Sequence, residues 1–247
     1  MDRLLYVSMT GTHRAMQAQA GNAQNLANVG TTGFKSTLDS AASQRIEGPG
    51  VPSRHNVVSR ESRPDLSPGP LQSTGRSLDV AVQGPGWLVV QDGEGNEALT
   101  RRGDLQVDAN GLLRTGAGNP VLGDLGPVAV PPYTQLTLGA DGTVSIVPQG
   151  QGPDAQAVLD RLRLVNPPPE TLERGTDGLF RTADGELPQA DAELRLLSEH
   201  LEGSNVNMAR IMVDMIELAR QFEMQVRMMR TASDNADTAA QLMRMGQ

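Results

Sequence analysis

The 247-residue chain contains no cysteine, which excludes disulfides and thiolate metal sites and makes folding indifferent to redox compartment. Aromatic residues are nearly as scarce, being only Trp87, Tyr6, Tyr133, Phe34, Phe180 and Phe222. That poverty argues against a large, ring-lined ligand pocket. Basic residues are outnumbered, 21 Lys and Arg against 29 Asp and Glu, and the formal charge of -8 argues against nucleic-acid binding. No run approaches the roughly 20 apolar residues of a membrane span, so the chain reads as not membrane-spanning. Met1-Asp2-Arg3 followed by Leu4 to Val7 lacks the roughly 7 to 15 residue apolar core of a cleavable signal peptide. Taken alone, these absences point to a soluble protein of the cytoplasm.

What the chain does have is two apolar stripes at its ends. Met208, Met212, Met215, Ala219, Phe222, Val226, Met229, Ser233, Ala236, Ala240 and Met243 step 4-3-4-3, the spacing of a coiled-coil seam. No Gly or Pro interrupts residues 206–245, Ser204, Asn205 and Asn207 are available as N-caps, and Gly246 is available as a stop. At the other end Leu5, Met9, Thr12, Met16, Gln19, Ala23 and Leu26 hold the same spacing. This second stripe is weaker, because Gly11 and Gly21 each cost a helix roughly 1 kcal/mol relative to Ala. Neither rod can bury its own stripe, so each needs a partner, either the other helix of the same chain or another chain.

Between the stripes the pattern changes twice. From Glu47 to Arg76 the sequence carries Gly48, Pro49, Gly50, Pro52, Pro64, Pro68, Gly69, Pro70 and Gly75, which reads as an extended connector. Then the apolar period falls to two at Leu78–Val82, Trp87–Gln91, Leu105–Asp108, Leu136–Leu138, Thr143–Val147 and Leu162–Val165. Turn pairs punctuate these runs at Asp92-Gly93, Asn110-Gly111, Asp141-Gly142, Asp177-Gly178 and Asp184-Gly185. The expected fold is α+β, with long N- and C-terminal helices pairing as a coiled coil and an inserted all-β domain. Its divisions are 1–36 (helix and motif), 37–76 (linker), 77–197 (β domain) and 198–247 (C-terminal helix). Such an order suits a filament subunit whose head-to-tail contacts repeat without closing, or else a simple dimer.

Chemistry finds little footing. Gly93-Glu-Gly-Asn-Glu-Ala98 has the spacing of a phosphate-binding loop but leads into a strand instead of the helix whose N-terminus would hold a phosphate. His13, His55 and His200 lie in three separate segments with no metal-ligand spacing, and no nucleophile-elbow motif occurs. No catalytic residue, cofactor, metal or small-molecule substrate is therefore expected. Trp87 and Tyr133 are the candidate contact residues if the β domain is instead a binding module.

Two distant motifs, taken together, carry a resemblance. Ala23-Gln-Asn-Leu-Ala-Asn-Val-Gly-Thr-Thr-Gly-Phe-Lys35 resembles the N-terminal signature of the bacterial flagellar rod and hook proteins. Leu201-Glu-Gly-Ser-Asn-Val-Asn207 with Met212-Val-Asp-Met-Ile216 is similar to their C-terminal signature. Ser73–Trp87, Thr100–Leu105 and Pro120–Gly123 resemble the family's β-domain sequence, so the likeness covers most of the chain. Within the family, residues 1–9 and 218–225 look most like proximal rod subunits, the alternative being another axial subunit such as the distal rod protein. One departure is Gln24, where the family usually has Asn.

The resemblance implies a structural axial subunit of the basal-body rod, polymerising through its terminal helices and transmitting torque for motility. It implies a place in the periplasmic rod after synthesis in the cytoplasm, with the flagellar type III export apparatus as the exit route, which would account for the missing signal peptide. Implied partners are other proximal and distal rod subunits and copies of itself. The expected interaction residues are Leu5, Met9, Met16, Ala23, Asn25, Leu26, Asn28, Phe34, Asn205, Asn207, Met212, Met215, Ala219, Phe222, Val226 and Met229. Of these, Asn25, Asn28, Asn205 and Asn207 suit backbone hydrogen bonds at helix ends, and Phe34 suits an anchor where the chain leaves the first helix. Gly30 and Gly33 would permit that exit.

Overall fold

The computed structural model describes residues 3–38, 41–45, 55–59, 63–152 and 155–245. The fold is α+β, with one long helix near each end of the chain and strands between them. The first helix, α1, spans Arg3–Ala27 and the second, α2, spans Met208–Met245. The expected stop at Gly246 lies outside the described residues, as do Gly48, Pro49, Gly50 and Pro52 of the expected linker.

The chain divides into two compact units, the first comprising residues 1–27, 37–65 and 206–247, the second 28–36 and 66–205. In the first unit α1 and α2 pack along each other. Within the span 37–76, read above as an extended connector, the described residues form short strands. Ala41–Arg45 pairs antiparallel with His55–Ser59, and Thr37–Leu38 with Arg63–Pro64. Pro and Gly content marks chain that cannot be helix, but it does not forbid short antiparallel pairs whose edges tolerate Pro.

The second unit is built on a five-stranded antiparallel sheet in the order Leu164–Val165, Trp87–Gln91, Glu97–Thr100, Phe180–Thr182, Leu172–Arg174. Alternation along its strands feeds two separate cores. Leu88, Val90, Ala98 and Leu164 enter a large aliphatic cluster that also holds Leu105, Leu113, Val144 and Ile146. Trp87, Val89, Leu99 and Val165 face a smaller cluster with Leu172 and Phe180, where the Trp87 and Phe180 rings lie 4.6 Å apart and tilted. Trp87 is thus a core residue and not an exposed contact, and Tyr133 packs against the aliphatic cluster.

The expected turn pairs place a left-handed glycine at Gly111, Gly142, Gly178 and Gly185. At Asp92-Gly93 that role falls to Gly95, while Asp92 accepts backbone N–H bonds from Glu94 and Asn96. Residues 198–207, grouped above with the C-terminal helix, instead contain the strand His200–Glu202, which pairs with Leu71–Ser73.

Candidate assembly surface

The helix pair presents different residues inward and outward from those that periodicity alone selects. On α1 the buried and half-buried face is Ser8, Gly11, Ala15, Ala18, Asn22 and Asn25, again at three-and-four spacing but shifted by one position from the apolar stripe. Leu5, Met9, Met16 and Ala23 point outward, Met16 with 59% of its surface exposed, and Leu26 is half-buried. Side-chain volume accounts for the shift. A Cβ added at Gly11 would come within 3.0 Å of the Gln225 side chain, so the helices approach too closely there for a thioether to fit between them.

On α2 the inward face is Ile211, Met215, Leu218, Phe222, Val226, Met229 and Ala232. Met215, Phe222, Val226 and Met229 of the expected seam belong to it, whereas Met208, Met212 and Ala219 are exposed, together with Val213, Ile216, Met224 and Met228. Burial on α2 ends at Ala232, and residues 233–245 are all exposed. With Gly11 opposite Gln225, this pattern requires an antiparallel pair: α1 covers α2 only as far as about residue 233. The last turns of α2, on the order of 20 Å of helix, extend past it.

The same face of α1 is polar for an interhelical surface. Among the described residues, the buried Ser8 Oγ and Gln19 Oε1 have no hydrogen-bond partner. At its C-terminal end Asn25 satisfies both backbone groups of Thr37, donating Nδ2–H to the carbonyl and accepting the N–H at Oδ1, each at 2.9 Å. Asn207 Oδ1 accepts the Arg210 N–H at 3.0 Å and is the N-cap of α2. Ser204 and Asn205, also eligible from sequence, are not the cap.

In the second unit the two sequence motifs meet. Asn205 Oδ1 accepts the Ser36 N–H at 2.7 Å and its Nδ2 donates to Ser67. Asn28 accepts from Thr31, closing the turn that follows α1. Gly33 adopts φ +68°, and a Cβ there would lie 2.4 Å from the Arg101 carbonyl carbon; Gly30 has neither constraint, so only one of the two glycines is required. Phe34 is buried beneath the Arg174 guanidinium, 4.2 Å from its ring centroid. Burial lowers the pKa of Arg174, whose Nη1 also donates to the Lys35 carbonyl.

Beside Phe34 lies a charge cluster that no spacing rule identifies. Lys35 Nζ donates to Glu202 Oε1 at 2.6 Å and to the Ser67 carbonyl at 2.8 Å. Arg101 donates Nη1 to Glu202 Oε2 at 3.1 Å, and the Gly69 N–H donates to Oε1 at 3.0 Å. The Lys35 and Glu202 side chains are 1% and 2% exposed. Burial pulls the Arg101 guanidinium down, and Glu202 offsets part of that shift. Lys35 of the N-terminal motif and Arg101 of the β region thus converge on the one carboxylate of Glu202 in the C-terminal motif, tying Lys35 to the strand that ends there.

Comparison with known proteins gives the family of this chain. Residues 81–146 match the flagellar hook protein FlgE/F/G D1 domain, and residues 197–242 match the C-terminal domain of the flagellar basal body rod FlgEFG proteins. The flagellar basal-body rod protein FlgF of Escherichia coli K12 is 41% identical over 99% of this chain and its own full length. FlgF of Salmonella typhimurium is 40% identical over the same shares, and FlgG of Buchnera aphidicola is 30% identical over 96% of this chain and 98% of its own. On full-length similarity and on the matched domains, the chain belongs to the flagellar basal-body rod proteins, a structural and non-enzymatic family, and is FlgF-like within it.

Proposed function

We propose that the chain builds the proximal part of the flagellar rod by polymerising through the outward faces of its two terminal helices, and that the rod so formed transmits torque. The observation that carries this reading is the outward turn of the apolar stripe of α1 and of a second apolar face on α2. α1 gives its small and polar face to the intrachain contact with the apolar face of α2, while Leu5, Met9, Met16, Met212, Ile216, Met224 and Met228 are left exposed. An array of large apolar side chains on two adjoining helices is unusual for a surface that stays in water, and burying each contributes roughly 1.5–3 kcal/mol. The overhang at residues 233–245 extends that surface beyond the reach of α1. Of the expected coiled-coil seam, Met215, Phe222, Val226 and Met229 serve the pairing of α2 with α1, while Met212 and Ala219 lie on the outward face left for other chains.

Further parts of this reading rest on the family. The partners are other rod subunits and further copies of this chain, the location is the periplasmic segment of the basal body, and export proceeds through the flagellar type III apparatus. The polar interhelical face of α1, with two buried groups lacking partners, makes it the helix more easily left unfolded for such passage. Electron microscopy of basal bodies from cells lacking the gene tests the assignment: the rod is expected to be missing or to stop short, and to recover on complementation. Intact rods and normal hooks without the gene would overturn it.

A further inference from the structure

All eleven methionines lie in residues 1–27 and 206–247, and none occurs between those segments. The two cores of the second unit are built from Leu, Val, Ile, Ala, Trp and Phe instead. Met1 lies outside the described residues; of the other ten, eight are exposed, and Met215 and Met229 are half-buried on the inward face of α2. Met9, Met16, Met212, Met224 and Met228 are 42–59% exposed on the outward helix faces, and Met208 adds to them. Met208 and Met212, like Met224 and Met228, are four residues apart and so are neighbours on one side of α2. With no cysteine in the chain, no thiol competes with these thioethers for an oxidant, and the single tryptophan is buried.

We propose that Met9, Met16, Met212, Met224 and Met228 are a modification site, at which hydrogen peroxide oxidises the free subunit and blocks its assembly; the proposal rests on the rod reading above, which makes the outward faces the interchain contact. At each residue a sulfur lone pair attacks one peroxide oxygen, and the O–O bond breaks as the S–O bond forms. The proton on the transferred oxygen passes to the departing one, which leaves as water. Sulfur gives up the electron pair that the peroxide gains, and the product is methionine sulfoxide. A sulfoxide is polar, so a face that drives association by leaving water no longer does so. The fold of the subunit is spared, because these side chains already face water and the second unit contains no methionine. Inside the rod the same sulfur atoms are covered. Oxidation therefore acts before assembly and not after it, and methionine sulfoxide reductases reverse it.

Three measurements test it. In the first, the purified full-length chain is treated with hydrogen peroxide and sulfoxide formation is followed peptide by peptide by mass spectrometry. The five outward methionines should oxidise at least about threefold faster than Met215 and Met229, while helical circular dichroism and Trp87 fluorescence stay at their untreated values. In the second, isolated basal bodies receive the same treatment, and the five should oxidise at least about tenfold more slowly there than in the free chain. In the third, cells without methionine sulfoxide reductases are grown in sublethal peroxide and their complete rods are counted by electron microscopy. The count should fall at least about threefold for the parent chain. A chain carrying Met9→Leu, Met16→Leu, Met212→Leu, Met224→Leu and Met228→Leu should keep whatever count it shows without peroxide.

Equal oxidation of inward and outward methionines, loss of the fold on oxidation, equal rates in basal bodies and free chain, or the same peroxide loss in both strains would each overturn the proposal. Rods that vanish on gene deletion while these methionines oxidise equally fast in basal bodies would overturn it alone. Intact rods after deletion would instead overturn the reading on which it rests.

Discussion

Removing Glu202 should destabilise the second unit more than removing Lys35, although the two form one ion pair at 2.6 Å. Glu202→Gln leaves two cations, Lys35 and Arg101, buried around a neutral acceptor that cannot compensate either. Lys35→Met leaves the Arg101–Glu202 pair intact at 3.1 Å, with the Gly69 N–H still on the carboxylate and Asn205 Nδ2 still donating to the Ser67 carbonyl. Breaking a buried pair from one side costs about 3–5 kcal/mol, so Lys35→Met belongs near the lower end and Glu202→Gln at or above the upper. The chain supplies its own reporter, since its single tryptophan, Trp87, lies in the core of this unit with the Arg101 guanidinium 5.3 Å from its ring. In urea, with m of about 2 kcal/mol/M, the fluorescence midpoint should fall by roughly 1.5 M for Lys35→Met and roughly 2.5 M for Glu202→Gln. Equal shifts, or a larger one for Lys35→Met, would refute the reasoning that excess buried positive charge sets the cost.

Gly33→Ala should lose about 2 kcal/mol or more in the same assay, because φ +68° and the approach of the Arg101 backbone both oppose a side chain, while Gly30→Ala stays within about 0.5 kcal/mol. Acid sensitivity should follow the turn aspartates. The Arg181 guanidinium holds the Asp92 carboxyl down at about 2 and lowers Asp177, and hydrogen bonds from Arg114 and Thr143 lower Asp108 and Asp141. A depressed folded pKa contributes stability that is present above the unfolded value of about 3.9 and is lost as pH falls toward 2, so urea midpoints should hold steady from pH 7 to about 5 and drop between about 4 and 2. Asp92→Asn should make that drop shallower; an identical acid limb would sink the assignment.

Periodicity located both helices to within a few residues and most of the principal strands, because each of those elements sets its own local pattern. It does not say which stripe faces inward, since three-and-four spacing marks a face as apolar but not as covered: Met215, Phe222, Val226 and Met229 of the α2 seam are covered, whereas Leu5, Met9 and Met16 of the α1 stripe are not. Here the covered α1 face is the small one, Ser8, Gly11 and Ala15, and only the opposing Gln225 reveals why. The cap of α2 was legible as an asparagine near the boundary, and the choice of Asn207 over Asn205 depended on Ser36 and Ser67 claiming the other. Lys35 and Glu202 sit inside the two quoted motifs, yet they are 167 residues apart and nothing local to either predicts the pair. Short strands such as Leu172–Arg174 and Phe180–Thr182 escaped notice because three residues are too few to establish an alternation.

The central claim, that the outward helix faces build the rod, is tested most directly by Ala219→Asp. Ala219 is exposed on α2 and outside the intrachain contact, so the purified variant should keep its helical circular dichroism and its buried Trp87 fluorescence, with stability changed by less than about 0.5 kcal/mol. Quantitative electron microscopy of basal bodies from cells carrying only this variant should then show rods absent or truncated. Full-length rods at parental numbers would contradict the account, because a charge placed on the proposed interchain face would have cost nothing.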